Sequence, residues 1–313
     1  MNDGGIYMKI KKYIKALVKM MYDSNYRFLI LSRLGFYDKL DDESYLKRKY
    51  KACIKKDLNI DNPRTFNEKL QWLKLHDRKP EYTLMVDKYA VRQYIADSIG
   101  EEYLIPLLGV WDNPDDIDFD ALPDKFVLKC NHNSGVGMCI CKDKNKLNIK
   151  KVKAELRRGL KQDYYLTGRE WPYKNVPRKI ICEKYMQDGN DECLTDYKFF
   201  CFNGSPKIMY ISKDNSDEPR TDFYDMQFNK ISMRMLAPNS ENKHLKPTYF
   251  EEMKRIAKKL SSNTYCLRVD FYIINNKLYL GELTFFHMSG FTQIYPEQWS
   301  YILGDWIKLP KQY

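Results

Sequence analysis

The stretch Leu267 to Gly290, LRVDFYIINNKLYLGELTFFHMSG, decides the fold. From Leu267 to Ile273 apolar and polar residues alternate, Asn275-Asn276 supplies a turn, and Lys277 to Thr284 resumes the alternation. A period of two interrupted by two turn formers predicts a β-hairpin. Asp270 falls in the first strand and Glu282 in the second, so antiparallel pairing brings two carboxylates close in space. Carboxylates set in apolar strands are costly to bury unless something neutralises them. Mg²⁺ does so, taking hard oxygen ligands from one or two carboxylates and from substrate phosphates. Arg268 precedes Asp270 by two residues and projects from the same face. It is placed either to meet a phosphate or a developing negative charge, or to form a structural ion pair with Asp270 or Glu282. Both readings stand on this stretch alone.

At 313 residues the chain is too long for one small core, so two or three subdomains are expected. A hydrophobic content of 43% with 14% aromatic residues excludes a disordered chain. The formal net charge of +11 attracts polyanions, namely nucleic acid, anionic lipid, nucleotides or acidic glycans, without choosing among them. Of the eight cysteines, Cys139 and Cys141 lie two apart, and Cys130, Cys182, Cys193, Cys201 and Cys266 fall mostly in apolar strand-like runs. No CxxC pair occurs, so zinc is not indicated, and free thiols in a reducing cytoplasm are expected. Lysines interrupt the N-terminal apolar positions, which argues against a secretory signal. No run of about 18 apolar residues is present to span a membrane.

In chain order, Met1 to Gly5 carries no pattern and is expected to be disordered. From Met8 to Tyr22, Ile10, Tyr13, Ile14, Leu17, Val18 and Met21 recur at helical spacing, while Lys9, Lys11, Lys12, Lys15 and Lys19 fill most of the rest. Such a basic amphipathic helix either rests on an anionic membrane surface or packs on the body with a solvated lysine face. Asp41 to Ile54 reads as a helix. Thr65 caps another, with Glu68 three residues on as its capping-box partner. A third begins near Tyr82, carries Asp87-Lys88 and ends at Gly100. Strand signals follow at 103–108, 126–130, 138–141, 178–185, 195–202, 207–212 and 220–228, with Asn203-Gly204 a hairpin turn. Helices are expected over 148–162 and 248–260. The organisation expected is a helical, basic segment over 1–60, a helical and mixed region over 61–125, one α+β lobe over 126–186 and a second over 187–313.

Further pieces suggest chemistry. In Phe126 to Cys141 the strand ends at Lys129 and a loop of Asn133, Ser134, Gly135, Val136 and Gly137 follows. Such a loop can turn its N–H groups toward phosphate oxygens, with Lys129 as a point charge, or it is an ordinary hairpin turn. It is no Walker loop, because GK[ST] is absent. In Ile180 to Met186, IICEKYM, an apolar strand breaks into Glu183-Lys184, suited to an exocyclic amine and a ring nitrogen of a base, or simply to an exposed strand end. His132 and His287 are acid–base candidates or polar loop residues. Arg220, Asp222 and Lys198, and the run Arg169-Glu170-Trp171, are candidates for an acceptor side.

Taken together these blocks resemble the ATP-grasp superfamily. Asp87-Lys88 resembles its first lysine block, and FVLKCNHNSGVGM its second lysine and mobile glycine-rich loop, close to the Ser-x-Gly-Met turn of D-alanine–D-alanine ligases. IICEKYM resembles the adenine-holding hinge, and LRVDFY…YLGELTFF the metal-binding hairpin. FNEKLQWLK (66–74), GREWPY (168–173), DYKFFCFNG (196–204) and GELTFF (281–286) are similar to one branch in particular, the TupA-like ATP-grasp group named for teichuronopeptide synthesis and associated with surface polysaccharides. The resemblance covers roughly residues 50–310.

It implies an α+β fold with two lobes holding ATP between them. It implies that Lys88 and Lys129 touch the ATP phosphates, that Ser134, Gly135 and Gly137 cover them, and that Glu183, Lys184 and Met186 line the adenine slot, with Lys198 also on the nucleotide side. Asp270 and Glu282 would bind Mg²⁺, and Arg268 with Lys129 would act in catalysis. Thr284 stands where many of these ligases have Asn; its hydroxyl can ligate Mg²⁺ or hold a water. The implied activity is an ADP-forming carboxylate–amine ligase working through an acyl phosphate, attaching an amino acid or amine to an acidic glycan or lipid-linked saccharide. The expected place is the cytoplasm, either free or peripheral at the inner face of the membrane. Two alternatives stand beside it: an ATP-dependent phosphotransferase on a sugar hydroxyl, and a polyanion-binding protein with a degenerate ATP site. Nucleic acid is not an expected partner.

Overall fold

The computed structural model describes residues 3–189, 194–213, 219–241 and 243–310. Six helices lead the chain: α1 (Asp3–Tyr22), α2 (Ser24–Arg33), α3 (Asp42–Ile54), α4 (Phe66–His76), α5 (Pro80–Val86) and α6 (Val91–Ile99). The starts of α2, α3 and α4 have a local cause. Asp23 Oδ1 accepts from Tyr26 N and Asp41 Oδ1 from Ser44 N. At α4 the capping box is complete, with Thr65 and Glu68 satisfying each other's backbone N–H groups. α1 begins at Asp3, so part of the segment expected to lack structure is helical.

The helix expected from Tyr82 to Gly100 is two helices. Asp87 interrupts it, because its carboxylate accepts from Tyr89 N and Ala90 N and from Asn131 Nδ2, offering the backbone an Asx turn in place of a helical one. Lys88 therefore sits in a turn rather than on a helix.

Then follow β1 (Leu107–Trp111), β2 (Phe126–Cys130), β3 (Met138–Cys141), α7 (Ile149–Lys161), α8 (Tyr164–Gly168) and β4 (Ile180–Lys184). These strands form an antiparallel sheet in the order β1-β4-β2-β3. Its core is its own: Phe126, Leu128, Ile180 and Cys182 pack with Val152 and Leu156 of α7.

The rest of the chain supplies β5 (Thr195–Phe202), β6 (Ser205–Lys213), β7 (Thr221–Asp225), β8 (Lys230–Ile231), α9 (Phe250–Leu260), β9 (Cys266–Ile274), β10 (Lys277–Thr284) and α10 (Gln298–Trp306). Its sheet runs β10-β9-β5-β6-β7-β8, again antiparallel. On one face Phe199, Cys201, Val269 and Phe271 pack against Phe250 and Ala257 of α9. On the other, Phe200 and Phe202 meet Phe66 of α4, and Phe202 meets Trp306 of α10. Beyond Phe200 that second face turns polar, and this polar half faces the small sheet. The leading helices share the large core with this C-terminal sheet.

The seven cysteines described are free, and Cys130, Cys141, Cys182, Cys201 and Cys266 are buried. Cys193 lies outside the described residues. No helix among them is long and apolar enough to cross a membrane.

Candidate active site

The hairpin forms as its sequence requires. Asn275 and Asn276 adopt φ of 48° and 52°, the left-handed values a two-residue primed turn demands. Register then decides the chemistry. Near the turn Leu280 pairs with Phe271; beyond it Leu283 pairs with Val269 and Thr284 with Arg268, one residue out of step. The slip is a bulge at Gly281-Glu282. Without it Glu282 would lie opposite Val269, on the face packed against α9. With it, Glu282 joins Arg268 and Asp270 on the polar face, because one extra residue exchanges the two faces of a strand. A glycine inside a strand pattern is the sequence signal for such a bulge.

Arg268 organises the polar face. Its Nε and Nη2 donate to the two oxygens of Asp270 at 2.7 and 2.6 Å, and Nη2 also donates to Glu282 Oε1 at 2.9 Å. One guanidinium nitrogen thus touches both carboxylates, and the structural ion pair of Arg268 is present. Thr284 Oγ1 donates to the same Glu282 oxygen at 2.9 Å. Lys198, paired in register with Asp270, donates to Asp196 Oδ1 at 2.6 Å and to Asp270 Oδ2 at 3.4 Å. Burial alone would lower Lys198; Asp270, then Asp196, outweigh it and hold the ammonium charged. Asp270 is almost fully buried, whereas Glu282 keeps 42% of its side chain open to solvent. Surrounding protein pushes the Glu282 carboxyl up, but Arg268 and then Lys88 reverse this and hold it below the usual range.

His287 lies behind the guanidinium. Arg268 Nη1 donates to its Nδ1 at 2.7 Å, so the ring proton sits on Nε2. Burial, then Arg268 and Lys198, drive its pKa well below the ordinary 6.5, leaving it neutral. This position fits an acceptor that orients Arg268, not a group that exchanges protons with a substrate.

The small sheet supplies the facing wall. Lys129 Nζ lies 2.7 Å from Glu183 Oε2, and Arg92 Nη1 lies 3.7 Å from Glu183 Oε1. Lys88 Nζ donates to Asn133 O at 2.7 Å, tying the glycine-rich loop to the cleft. Between the two walls runs a narrow cleft lined by Val86, Lys88, Arg92, Lys129, Tyr173 and Glu183 on one side and by Leu280 to Leu283 on the other. Apolar side chains such as Val86, Leu280 and Leu283 set beside convergent cations and carboxylates suit a nucleotide.

The structure therefore brings together Lys88, Lys129, Glu183, Lys198, Arg268, Asp270, Glu282 and Thr284. Lys184 is exposed and Met186 half-buried, and neither lines this cleft. Ser134 and Gly135 stand exposed at the tip of their loop. Gly137 differs: its N–H donates to Glu155 Oε1 at 3.0 Å, and a Cβ there would lie 2.6 Å from Cys130 Sγ and 2.7 Å from Gly159 Cα. That glycine serves helix packing. His132 is buried, with Nε2 3.1 Å from Gln162 O. Arg169 is a buried strut, donating to Tyr37 O and Asp38 O and lying over the Tyr45 ring. Asp222 pairs with Lys230 and His244 rather than with the cleft residues.

The sequence reading passed over Arg92, Asp196, Lys74 and the partners of Lys74. The fully buried Lys74 of α4 donates to Gln71 Oε1, Gly168 O and Ser289 O at 3.0, 2.8 and 2.8 Å. Gln71 Nε2 donates to Ser289 O and Gly290 O, and Asn67 Nδ2 to Thr292 O. The buried polar stripe Asn67, Gln71, Lys74 of α4 thus grips the chain just after the hairpin. Its spacing of four and three residues is the signal that marks it.

Asp270 and Glu282 fit a divalent cation by chemistry: two hard-oxygen ligands on one face, beside the Thr284 hydroxyl. Among the described residues no group of three or more His, Cys, Asp or Glu is gathered for a metal, so further ligands would come from phosphates and water.

Comparison with known proteins follows this geometry. The D-alanine–D-alanine ligase of Helicobacter pylori is similar in structure, with a TM-score of 0.49 at 16% identity, over 78% of this chain and 69% of that one. The D-alanine–D-alanine ligase of Bacillus anthracis, solved with ATP, has a TM-score of 0.39 at 15% identity over 64% and 54%. A RimK-domain ATP-grasp protein of Sphaerobacter thermophilus has 0.40 at 8% identity over 72% and 69%. The chain thus spans about half to two-thirds of these neighbours. No curated protein matches it. Residues 68–308, which include most of α4, both sheets and the whole polar face of the hairpin, match the family described as TupA-like ATPgrasp. The chain belongs to the TupA-like ATP-grasp family.

Proposed function

We propose that this protein is an ATP- and Mg²⁺-dependent ligase that joins a carboxylate to an amine through an acyl phosphate. Its acceptor is a cell-surface polysaccharide or its lipid-linked precursor, modified from the cytoplasmic side. One observation carries the reading: a single guanidinium, Arg268, bridges Asp270 and Glu282 at a cleft that Lys88, Lys129 and Lys198 also surround.

Phosphoryl transfer needs positioning and charge neutralisation more than covalent help from the protein. In the proposed reaction a substrate carboxylate oxygen attacks the γ-phosphorus, the bond to ADP breaks, and an acyl phosphate forms. The neutral amine then attacks the acyl carbon, the carbon–oxygen bond to phosphate breaks, and the leaving phosphate carries off the proton that the nitrogen sheds. Lys129 turns from Glu183 to the phosphates, Lys88 joins it from the glycine-rich loop, and Arg268 faces the charge that moves between acyl and phosphoryl oxygens. Asp270 and Glu282, with Thr284 beside them, would hold Mg²⁺, and the chemistry it would supply is Lewis-acid neutralisation of phosphate oxygens. Asp196, Asp270, Glu183 and Glu282 are each held by a cation, and His287 is engaged by Arg268. A hydroxyl acceptor needs a general base; a carboxylate acceptor does not. That favours the ligase over a sugar phosphotransferase. The charge of +11 suits an acidic glycan.

The test begins with thermal unfolding with and without Mg-ATP. A ligand at a hundred times its Kd stabilises the folded state by about 2.7 kcal/mol. The reading expects a rise in the midpoint that requires Mg²⁺ and disappears in Glu282→Gln. Hydroxylamine then distinguishes the chemistry: it traps an acyl phosphate as a hydroxamate, and no hydroxamate forms in a phosphotransferase. Absence of any Mg-ATP shift at millimolar concentration would sink the proposal.

A further inference from the structure

Among the described side chains of α1, the lysines face solvent and so do the large apolar residues other than Met20. Met8, Ile14, Leu17, Val18 and Met21 are 70, 56, 62, 48 and 69% exposed. At 100° per residue, Ile14, Leu17 and Met21 form one line along the helix, and Val18 borders it. Lys11, Lys15 and Lys19, also exposed, occupy the adjoining arc. Ala16 and Met20, at the opposite seam, are the partly covered positions. The helix is held by its C-terminal end: Arg27 Nη1 donates to Met20 O at 2.9 Å and to Met21 O at 3.2 Å, and the Lys19 ammonium lies 4.7 Å from the Tyr26 ring. So Ile14, Leu17, Val18 and Met21, the described residues of that apolar face, are not laid on the body.

We infer that this face of α1 docks on a bilayer containing anionic lipid. A contiguous apolar strip on the surface marks an interaction site. Charge selects the occupant. Residues 4–22 hold five lysines and no acidic residue. A second copy of the same face would set lysines against lysines. An anionic bilayer accepts both halves: Ile14, Leu17 and Met21 enter the acyl boundary while the flanking lysines meet lipid phosphates. With no helix among the described residues able to cross a membrane, α1 lies in the interface rather than spanning it. The inference is independent of the nucleotide chemistry, though it would bring the cleft to the surface where a lipid-linked acceptor resides.

The test is co-sedimentation of the full chain with sucrose-loaded vesicles, of phosphatidylcholine alone or mixed with phosphatidylglycerol. Binding is expected to the mixed vesicles, to weaken steeply with salt, and to be lost in Leu17→Glu/Met21→Glu. Replacing Lys11, Lys15 and Lys19 by Gln should weaken it about a hundredfold, at roughly fivefold for each lysine near the surface. Cooperative thermal unfolding of each variant, with its midpoint unchanged, establishes that the body is folded. Three results overturn the inference: no binding of the wild-type chain to the mixed vesicles, binding unchanged in Leu17→Glu/Met21→Glu, or a wild-type dimer that Leu17→Glu/Met21→Glu converts to monomer. A Mg-ATP shift on the same samples reports the nucleotide reading separately.

Discussion

Replacing Lys74 by Met tests whether the chain beyond the hairpin is held from α4. Met nearly matches the length of the lysine stem but has no N–H. Lys74 Nζ donates to Gln71 Oε1, Gly168 O and Ser289 O, and lies 2.9 Å from Ser289 Oγ. Three carbonyl acceptors require three N–H groups, and only an ammonium has three. Glu170, also buried, interacts with Lys74 and hydrogen-bonds Ser289. Burial lowers the Lys74 amine and raises the Glu170 carboxyl, and each partner's charge opposes the shift of the other. The substitution strands Gln71 Oε1 and Gly168 O, takes from Ser289 O one of its two donors, and leaves the Glu170 carboxyl without its cation. Breaking a buried pair from one side costs about 3–5 kcal/mol, and a stranded buried acceptor about 1–3 kcal/mol, the two overlapping rather than adding. We expect a loss of about 4 kcal/mol, or about 6 °C for a chain of this size. Urea unfolding measures it. Adding Glu170→Gln should return part of the loss, about 1–2 kcal/mol, by removing the uncompensated carboxylate. Function should suffer as well. Met288, Ser289 and Gly290 run successively at φ of 49, 55 and 64°, a left-handed turn costing about 1–2 kcal/mol at each non-glycine residue. Freed from α4, that turn no longer fixes His287 behind Arg268, and turnover should fall more than ATP affinity. A loss below about 1 kcal/mol, or a double variant no better than the sum of the singles, would refute the reasoning.

Stability should also depend on pH through His287. Its folded pKa lies well below the ordinary 6.5, so the unfolded chain takes up the proton first; this contribution is complete above about 6.5 and is lost as the pH falls below it toward the folded value. Urea midpoints should therefore decline from pH 7 to 5, more steeply in the wild type than in His287→Asn; equal slopes would contradict a buried neutral imidazole. Within the glycine-rich loop, Gly137→Ala (φ 71°, with Cys130 Sγ and Gly159 Cα inside 3 Å of the added carbon) should cost about 2–4 kcal/mol. Gly135→Ala (φ 81°, open space) should cost only about 1 kcal/mol, and equal losses in the two would remove the packing role assigned to Gly137.

Much of the site is legible in the sequence because it rests on short-range periodicity. The alternation in LRVDFYI alone puts Arg268 and Asp270 on one face, and Asn275-Asn276 alone specifies the primed turn. Thr65 with Glu68 likewise announces the start of α4, and neighbours a few residues apart suffice for each of these. Other features depend on partners far along the chain. The alternation and the two-residue turn, read by themselves, send Glu282 to the α9 face; the bulge at Gly281 returns it beside Asp270, and packing on both faces of the sheet selects that register. Asp87 breaks a helix whose pattern looks continuous, because Asn131 lies within reach of its carboxylate. The spacing that sets Lys74 in a stripe with Asn67 and Gln71 is local, yet its burial depends on Gly168 and Ser289, which close over it. The apolar stripe of α1 is plain in the sequence, yet only the folded chain leaves it uncovered. Sequence by itself determined which residues share a strand face or a helix stripe, since local geometry repeats every two or 3.6 residues. Tertiary structure alone decided which faces meet, because that choice rests on burial and register between segments tens to hundreds of residues apart.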